Sequence, residues 1–361
     1  MVKENLNISK WLIDKKSTVK QAMKQMRHVG EKLLFVVSNN SVLYGALSDG
    51  DIRKWILKKN DLSEKITKIC NKQPIILEKS YNVNQVKKIF IDLKIQALPI
   101  VSRNKIIDVI SWDDIFAGEK DVKVSVKKVN IPLVVMAGGK GTRLDPFTRV
   151  LPKPLIPIGD KPIVEHIVEN FSEYGVKEFY FSVNHKAKMI RAYFDEMKDI
   201  FNIKYLEESK PLGTAGGLRP LFGERHKRYF VVNCDIFLGT NISDIVDFHD
   251  ENNNDVTVVA SYKHHVMPYG VCNINKGGEL KSIDEKPEYD FLINIGAYIL
   301  NKRAIKLIPA NKMFHMTDLI KACKKEKFKI KVFPISDNMW MDIGQLEEYR
   351  RTLKTIGMLQ D

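Results

Sequence analysis

The sequence has few cysteines and no long apolar run. Its four cysteines in 361 residues, Cys70, Cys234, Cys272 and Cys323, are far apart and form no Cys-x-x-Cys pair. This spacing argues against a structural zinc site or a disulfide framework and favours reduced, mostly buried thiols. No stretch approaches the roughly 20 apolar residues that span a bilayer, and the first ten residues lack the apolar core of a signal peptide. We therefore expect no membrane segment and a cytoplasmic location.

Arginine-rich tracts and basic patches interleaved with aromatic residues are also missing, although the net charge is +14. Residues 1–125 contain 23 Lys and Arg against 14 Asp and Glu, and the remainder contains 35 against 30. Dispersed surface lysines fit this distribution better than a nucleic-acid-binding face does. We expect no nucleic-acid partner, whereas anionic small substrates suit the excess of positive charge.

An imperfect repeat occupies the first third of the chain. Residues 18–22 (TVKQA) match residues 82–86 (NVNQV), and each copy continues into a helical pattern, a strand and a hairpin turn. Further on, Ser48-x-x-Asp51 in the first copy corresponds to Ser111-x-x-Asp114 in the second. Two copies of one β-α-β-β-α unit, packed on each other, are the natural interpretation.

The repeat resembles a tandem pair of cystathionine-β-synthase (CBS) modules over residues 1–120. The family pattern is Gly-x-x-Thr/Ser-x-x-Asp, in which hydroxyl and carboxylate hold the phosphate and ribose of an adenosine ligand. Gly45, Ser48 and Asp51 match it in full, whereas Asp108 replaces the glycine of the second copy.

This resemblance implies an adenosine nucleotide at Ser48, Asp51, Ser111 and Asp114. It also implies a homo-oligomer, because CBS pairs often dimerise. Ser-x-x-Asp is equally a helix N-cap followed by an acidic first turn, and the sequence leaves the two interpretations open.

A different pattern begins at residue 131. The preceding residues 121–130 are charged and lack aromatics, which predicts a linker, with a short strand over 122–126. Residues 131–361 then form the second domain, in which strand patterns alternate with helical ones over 131–137, 163–174, 179–183, 188–197, 229–233 and 242–252. The alternation predicts an α/β fold with a mainly parallel sheet covered by helices on both faces.

The first strand of this domain ends in a glycine-rich loop, residues 137–144 (AGGKGTRL). Backbone N–H groups of a loop without Cβ atoms can approach phosphates closely. The expected nucleotide contacts are Ala137, Gly138, Gly139, Gly141 and Thr142. The spacing matches neither a P-loop nor the dinucleotide fingerprint.

Lys153 follows between two prolines, which restrict its backbone and hold its ammonium group in place. The glycine loop and this Pro-Lys-Pro motif together resemble the opening of sugar-1-phosphate nucleotidyltransferases, over about residues 131–355. The resemblance implies a Rossmann-like (GT-A-like) fold. It also implies that Arg143 binds the β- and γ-phosphates and that Lys153 contacts the phosphates where bond exchange occurs.

Two aspartates end apolar segments, Asp235 after residues 229–232 and Asp342 within residues 340–344 (WMDIG). Ligands of open α/β sheets bind at the carboxyl edge, where Asp235 is expected. Carboxylate oxygens combined with substrate phosphates suit Mg²⁺. Either aspartate alone could be a cap, but together with the glycine loop they predict a magnesium site, and the family uses the same two positions.

Two later motifs concern the sugar. Residues 284–287 (DEKP) resemble the family's Glu-Lys-Pro motif, which implies that Glu285 bonds sugar hydroxyls and Lys286 meets the sugar phosphate. Residues 291–298 (FLINIGAY) resemble its Asn-x-Gly sugar-binding strand, which assigns Asn294 and Gly296.

The segment 207–216 (EESKPLGTAG) concerns the base. Five positions before Gly213, thymidylyl- and uridylyl-transferring relatives commonly carry glutamine, whereas this chain has Glu208. A carboxylate only accepts hydrogen bonds, which suits the paired donors of guanine and not the carbonyls of uracil or thymine. GTP is therefore the favoured donor, although Glu208 could instead point to solvent, and UTP and dTTP stay open.

The overall reaction implied is nucleotidyl transfer from the triphosphate to a sugar 1-phosphate with release of pyrophosphate. A CBS pair before a short catalytic domain resembles the glucosamine-1-phosphate guanylyltransferases of bacterial legionaminic acid synthesis. Mannose-1-phosphate guanylyltransferases, the alternative, often continue into hexapeptide repeats, which are not found here. A protein of another class, a CBS ligand sensor with an inactive transferase domain, is the remaining alternative.

Overall fold

The computed structural model describes residues 8–59, 61–82, 85, 86, 89, 90, 93, 95–111, 114, 127–335, 339–344 and 349. The chain divides into two compact units, residues 1–125 and 126–361. The strand predicted over residues 122–126 and the first part of the predicted linker lie outside the described residues.

The first unit contains a six-stranded mixed sheet, with strands ordered β1-β2-β3-β6-β5-β4. The strands are β1 (Leu12–Asp14), β2 (Leu33–Ser38), β3 (Val42–Ser48), β4 (Leu77–Glu78), β5 (Ala97–Ser102) and β6 (Lys105–Ser111). The described α-helices are α1 (Val19–Val29) and α2 (Asp49–Lys58), with 3₁₀ turns at Ile8–Trp11, Asn39–Ser41 and Ile66–Lys68.

The two copies of the sequence repeat have the same pattern of strand pairing. In each half the first strand is parallel to the second, and the second is antiparallel to the third. The halves meet where Val42 of β3 lies opposite Lys105 of β6. The two copies of the sequence repeat are therefore two copies of one structural unit, as expected for a tandem CBS module.

The start of the first helix explains why the repeat is visible in the sequence. Thr18 accepts a hydrogen bond from the Gln21 N–H and its own N–H donates to the Gln21 side chain, which is a capping box. In the second copy the Asn82 side chain accepts from the Gln85 N–H at 3.3 Å. In both copies the side chain at this position accepts from the N–H three residues later.

The second unit contains a seven-stranded sheet in the order β11-β10-β7-β12-β17-β14-β18. Its strands are β7 (Leu133–Met136), β10 (Glu178–Val183), β11 (Asn202–Glu207), β12 (Arg228–Asn233), β14 (Val256–Val266), β17 (Glu288–Asn301) and β18 (Ile330–Ile335). Shorter pairs are β8 (Pro157–Ile158) with β9 (Lys161–Pro162), β13 (Ile236–Leu238) with β19 (Trp340–Asp342), and β15 (Val271–Ile274) with β16 (Leu280–Asp284).

Helices connect these strands. The α-helices are α3 (Phe147–Val150), α4 (Ile163–Glu173), α5 (Ala187–Asp195), α6 (Gly213–Gly216), α7 (Ile242–Glu251), α8 (Lys302–Ile305) and α9 (Met316–Lys325). The 3₁₀ turns are Thr142–Leu144, Lys153–Leu155 and Arg219–Gly223. In the described part of the chain, every helix falls short of the length and apolar character that a membrane crossing requires.

The predicted mainly parallel sheet is confirmed. Strands β11, β10, β7 and β12 are parallel neighbours, and β14 is parallel to β18. Only β17 runs against both of its neighbours, β12 and β14, among the strands described in this sheet. Alternate residues of one strand enter opposite cores: Val134 packs with α9 on one face, and Leu133 and Val135 pack with α4 on the other. Burial on both faces explains the continuous apolar runs.

The long ribbon of β14 and β17, with the β15–β16 hairpin at its outer end, is the part that sequence analysis did not predict beyond residues 291–298. The outer side chains of the ribbon and hairpin are exposed even where they are apolar, as at Ile274, Ile283 and Phe291. Because exposed strands need no regular apolar alternation, the sequence carries little signal for them.

Residues 127–130, which the sequence suggested as part of a linker, belong to the second unit. Val129 is buried in its core, and the Val129 N–H donates to the Tyr174 carbonyl at 2.8 Å. The Lys127 ammonium group pairs with the Asp247 carboxylate at 2.7 Å.

Gly45 of the CBS motif has a packing role. The backbones of Ala46 and Asn71 exchange two hydrogen bonds of 2.8 Å, and this bridge brings residues 70 and 71 against β3. A Cβ atom at position 45 would lie 2.5 Å from the Asn71 carbonyl oxygen and 3.1 Å from the Cys70 sulfur. Only glycine fits there without displacing backbone.

We expect Gly45→Ala to lower the free energy of unfolding of the first unit by about 1–3 kcal/mol, the usual cost of overpacking. Gly50→Ala is the matched control, because a Cβ there meets only the Ser48 hydroxyl oxygen at 3.5 Å, an ordinary contact. Urea unfolding followed by circular dichroism compares the two variants. Equal stability of both would mean that the Asn71 segment moves away at little cost.

Candidate active site

The two predicted aspartates are brought together by a backbone ladder. The chain leaves β12 at Asn233 and enters β13, which pairs antiparallel with β19 so that Ile236 lies opposite Asp342. The Ile343 N–H also donates to the Asp235 carbonyl at 3.0 Å. The position of each acid is therefore fixed by main-chain hydrogen bonds at the carboxyl end of the central strand.

Three charged groups surround one point beside Gly344. The Lys153 ammonium group forms an ion pair with the Asp235 carboxylate, and these side chains are only 11% and 7% exposed. A Cβ atom at Gly344 would contact the Asp235 carboxylate and lie 2.8 Å from the Asp342 carboxylate and 2.9 Å from the Lys153 nitrogen. The absence of a side chain at residue 344 is what allows the three groups to converge.

The electrostatics of this cluster favour a further cation. Burial raises the pKa of Asp342, and the neighbouring charge of Asp235 raises it further. The Gly344 N–H, which donates to the Asp342 carboxylate at 2.7 Å, and the charges of Lys153 and Arg143 oppose this rise without cancelling it. The ionised form of Asp342 therefore has less compensating positive charge around it than it needs, and a further cation would stabilise it.

The donor set fits Mg²⁺, which prefers oxygen ligands and commonly completes its coordination with substrate phosphates and water. Among the described residues no group of three or more His, Cys, Asp and Glu side chains is placed to hold a metal ion. The pair of aspartates would thus hold the ion jointly with a substrate. Binding of Mg²⁺ itself stays a prediction.

The glycine loop packs directly on Lys153. Gly141 has a φ of +70°, and a Cβ atom on it would lie 2.8 Å from the Lys153 Cβ and 2.9 Å from a Thr148 methyl group. The Thr148 hydroxyl donates to the Gly141 carbonyl at 3.1 Å. Gly139 has no atom within 4 Å of such a Cβ, so the middle of the loop is open, and Arg143 is exposed next to it.

Glu208 points into the molecule beside this loop. Its carboxylate accepts hydrogen bonds from the Ser182 hydroxyl at 2.6 Å and from the Leu212 N–H at 3.0 Å. A Cβ on Gly138 would lie 3.0 Å from the same carboxylate, and a Cβ on Gly217 would overlap it. The solvent-directed alternative for Glu208 is therefore wrong, whereas its contact with a base stays a prediction.

Gly213 opens the short helix α6 with a φ of +81° and lies against a second segment. A Cβ there would be 2.7 Å from the Phe314 carbonyl oxygen. The N–H groups of Ala215 and Gly216 both donate to that carbonyl at 3.0 Å. These contacts hold the segment that follows Glu208 in place.

The Asn-x-Gly motif reaches the site through an irregularity in β17. The register of β17 against β14 shifts between Ala297 and Asn294, which releases Gly296 from the ladder at a φ of +83°. A Cβ on Gly296 would contact the Asn233 side chain, two residues before Asp235. Asn294 is held in turn by its contacts with the Gly296 N–H at 3.1 Å and the Tyr298 hydroxyl at 2.7 Å.

Glu285 and Lys286 directly follow the second strand of the β15–β16 hairpin. Both are exposed just after β16, and a Cβ on Gly270 would be 3.0 Å from the Glu285 carboxylate. Lys286 has a φ of +45° and makes no ion pair with Asp235 or Asp342. Of the predicted residues the structure unites Lys153, Asp235 and Asp342, with Arg143 close enough to act on Asp342, and the contact of Lys286 with the sugar phosphate stays a prediction.

The sequence motifs did not indicate roles for Ser182, Gly217 or Gly344. Ser182 and Gly217 lie outside the motifs and act through contacts with Glu208, whereas Gly344 lies inside residues 340–344 but also contacts Asp235 and Lys153, which are distant in sequence. The only signal available was Gly344 itself, two residues after Asp342.

In the first unit, both Ser-x-x-Asp motifs form capping boxes. The Ser48 hydroxyl and N–H donate to the Asp51 carboxylate at 2.6 and 2.9 Å, and the Asp51 N–H donates back at 3.2 Å. Ser111 and Asp114 repeat the arrangement at 2.6, 2.8 and 3.3 Å. The capping interpretation is confirmed, and adenosine nucleotide binding at these four residues stays a prediction.

Comparison with known proteins places the chain in a class. Residues 133–357 match the nucleotidyl transferase family, and residues 66–119 match the CBS domain. Because the first match covers more than half of the chain, this protein belongs to the nucleotidyl transferase family.

Individual relatives are mannose-1-phosphate guanyltransferases of fungi. Those of Yarrowia lipolytica and Schizosaccharomyces pombe are each 32% identical, over 234 and 226 residues, covering 60% of this chain and 61% of theirs. The chain thus spans about three fifths of their length. The crystal structure of HddC from Yersinia pseudotuberculosis, 25% identical, superposes with a TM-score of 0.51 over 63% of this chain and 100% of HddC.

The raised pKa of Asp342 has a consequence for stability. A carboxyl group whose pKa is raised by folding is most favourable to the folded state below its ordinary pKa of 3.8, and this contribution is lost as the pH rises through the raised value. With EDTA present, we expect Asp342→Asn to be more stable than the unchanged protein at pH 8 and to lose this advantage as the pH falls below 4.

Urea unfolding at several pH values measures this difference. Asp199→Asn removes an exposed carboxylate and serves as the control, with little change expected at any pH. A destabilised Asp342→Asn variant at pH 8 would show that the carboxylate is well compensated.

Proposed function

We propose that the second unit transfers a nucleotidyl group from a nucleoside triphosphate to a sugar 1-phosphate and releases pyrophosphate. The observation that carries the proposal is the convergence of Lys153, Asp235 and Asp342 on one point beside an open glycine loop. Family membership supports the reaction class.

The reaction requires positioning and charge neutralisation. A phosphate oxygen of the sugar 1-phosphate attacks the α-phosphorus, a new P–O bond forms, and the bond to the β-phosphate oxygen breaks with its electron pair leaving on pyrophosphate. No protein nucleophile or proton transfer is needed, because the attacking oxygen already carries negative charge. Two anionic reactants must instead be held together against their repulsion.

Each residue has a part in this task. Arg143, exposed beside the loop, would bind the β- and γ-phosphates and stabilise the departing pyrophosphate. Lys153, fixed by Gly141 and Asp235, would contact the phosphates where the bonds exchange. Asp235 and Asp342 would hold Mg²⁺, which neutralises phosphate charge when bound. Gly296 packs against the Asn233 side chain, and its N–H donates to the Asn294 side chain. Asn294 and Gly296 would contact the sugar.

GTP is the favoured donor. Each carboxylate oxygen of Glu208 accepts one internal hydrogen bond, and a carboxylate has about four acceptor sites, so it can still receive the N1–H and N2–H₂ of guanine. A pyrimidine carbonyl at the same place would be repelled. The names of the fungal relatives, guanyltransferases, also support a guanine base.

The sugar has two candidates. Glucosamine 1-phosphate, for legionaminic acid synthesis, is favoured by the arrangement of a CBS module before the nucleotidyl transferase domain. Mannose 1-phosphate is favoured by the names of the curated relatives. A matrix of GTP, UTP and dTTP against glucosamine, mannose and glucose 1-phosphates, scored by pyrophosphate release, decides between them.

We expect Asp235→Asn, Asp342→Asn and Arg143→Ala each to lower kcat by about 10²–10³, the cost of one preorganised contact with developing charge. Circular dichroism verifies that each variant is folded, and Asp199→Asn should keep full activity. Rates near those of the unchanged protein for all three variants, with every triphosphate in the matrix, would refute the active site. No pyrophosphate from any pair would favour the ligand-sensor alternative.

The base preference depends on Glu208. Glu208→Gln keeps the shape of the side chain but replaces an acceptor with a donor, so we expect the ratio of kcat/KM for GTP over UTP to fall about tenfold or more. Glu207→Gln is the matched control, since this neighbouring carboxylate is exposed and pairs with Arg191. An unchanged ratio in Glu208→Gln would place the base elsewhere.

A further inference from the structure

A second cavity lies at the edge of the large sheet opposite the aspartates. It measures about 1090 Å³ and is lined by residues at the starts of β10, β12 and β14 and at the end of β17. Strand β12 connects the two sites, with Arg228 at the cavity and Asn233 beside the aspartates. At about 3.3 Å per residue the sites are separated by about 17 Å, so a ligand here would be distinct from the substrates.

Positive charge exceeds negative charge on the walls of this cavity. The five basic side chains are those of Arg225, Lys227, Arg228, Lys302 and Arg303, against the carboxylates of Glu178, Asp250 and Asp255. Each carboxylate pairs with one arginine: Glu178 with Arg225, Asp250 with Arg228 and Asp255 with Arg303.

The two lysines of the cavity, Lys227 and Lys302, take no part in these arginine–carboxylate ion pairs. Lys227 is exposed and forms no ion pair among the described residues. The Lys302 ammonium group donates to the Glu224 carbonyl at 2.6 Å and lies over the Phe222 ring, which are contacts with neutral groups. Burial lowers the pKa of His249, so this histidine adds no charge at neutral pH. Two positive charges therefore remain for an anion.

Asn254, which also lines the cavity, has a buried acceptor without a partner among the described residues. Asn254 is only 1% exposed, and its side-chain oxygen has no hydrogen-bond partner among the described residues. Leaving such an acceptor unsatisfied costs folding free energy, so a ligand donor that reached it would be favoured.

The orientation of this amide is set by a chain of hydrogen bonds. The Asn301 NH₂ group donates to the main-chain carbonyl of Asn254 at 2.8 Å, which leaves the Asn301 side-chain oxygen to accept from His249 Nε2 at 3.1 Å. His249 Nδ1 must then accept from the Thr257 hydroxyl at 2.8 Å, and that hydroxyl accepts from the Asn254 NH₂ group at 3.1 Å. The unpaired atom is therefore the oxygen, and it requires a donor.

We propose that this cavity binds a small phosphorylated molecule, with its phosphate at Lys227 and Lys302 and a hydroxyl or amino group donating to Asn254. The guanidinium groups have further N–H donors beyond those used in their ion pairs, which suits phosphate oxygens. The volume is that of a typical ligand site and exceeds the need of a lone inorganic ion. A sugar phosphate and a nucleotide share this chemistry.

Calorimetric titration with glucose 1-phosphate, and separately with GMP, tests the proposal. We expect two binding events for at least one of these probes. Lys227→Glu should weaken one event about tenfold or more, since it removes a charged hydrogen-bond donor to the phosphate, while Arg143→Ala weakens the other. Lys276→Glu, an exposed charge reversal on the β15–β16 turn, is the matched control and should change neither.

The probe that shows the Lys227-dependent event identifies the source of the phosphate, a sugar phosphate or a nucleotide. Asn254→Leu should weaken that event while binding of inorganic phosphate, which needs only the lysines, is kept; if this variant does not fold, the Lys227→Glu comparison still decides. A single event with both probes, unaffected by Lys227→Glu, would overturn the proposal. Turnover of Lys227→Glu should equal that of the unchanged protein, so failure of this inference and failure of the proposed function are separate results.

Discussion

The candidate active site depends on holding two carboxylates next to each other, that of Asp235 buried and that of Asp342 half-buried. Such a pair is unfavourable in isolation, because each charge loses solvent and repels the other. Here the β13–β19 ladder fixes the backbone of both acids, and Lys153 supplies part of the missing positive charge. The folding energy of the whole sheet maintains this arrangement. The negative charge of Asp342 is still not fully compensated. A metal ion that binds together with a phosphate-bearing substrate can compensate it.

Glycine is used repeatedly to bring distant side chains together. Gly141 lies on Lys153, Gly217 on Glu208, Gly296 on Asn233, and Gly344 on the aspartates. At each position a Cβ atom would occupy the space of the functional group. Two of these glycines also have positive φ angles, which glycine adopts without strain. The absence of side chains at these glycines therefore determines where the functional side chains can lie.

This pattern explains how much the sequence could predict. The strands, the helices on both faces and the internal repeat depend on apolar periodicity, which is local, and the short motifs around Arg143, Lys153 and Asp235 are local as well. The contacts of Gly344 with Asp235 and Lys153, and of Ser182 with Glu208, arise only when the chain folds, since these partners are far away in sequence. Lys286 stays a prediction: its motif implies a contact with the sugar phosphate, and the structure shows this side chain exposed just after β16.

A structural motif differs from a candidate site in whether its polar groups have hydrogen-bond partners and compensating charges within the fold. In both Ser-x-x-Asp motifs the serine and aspartate satisfy each other and the helix N-terminus, so the fold alone accounts for them. Asp342 differs, because burial and a like charge leave its ionised form short of compensation. Asn254 differs in the same way, since its oxygen is buried without a donor. Groups of the second kind cost folding free energy, and a ligand that completes them recovers that cost as binding free energy.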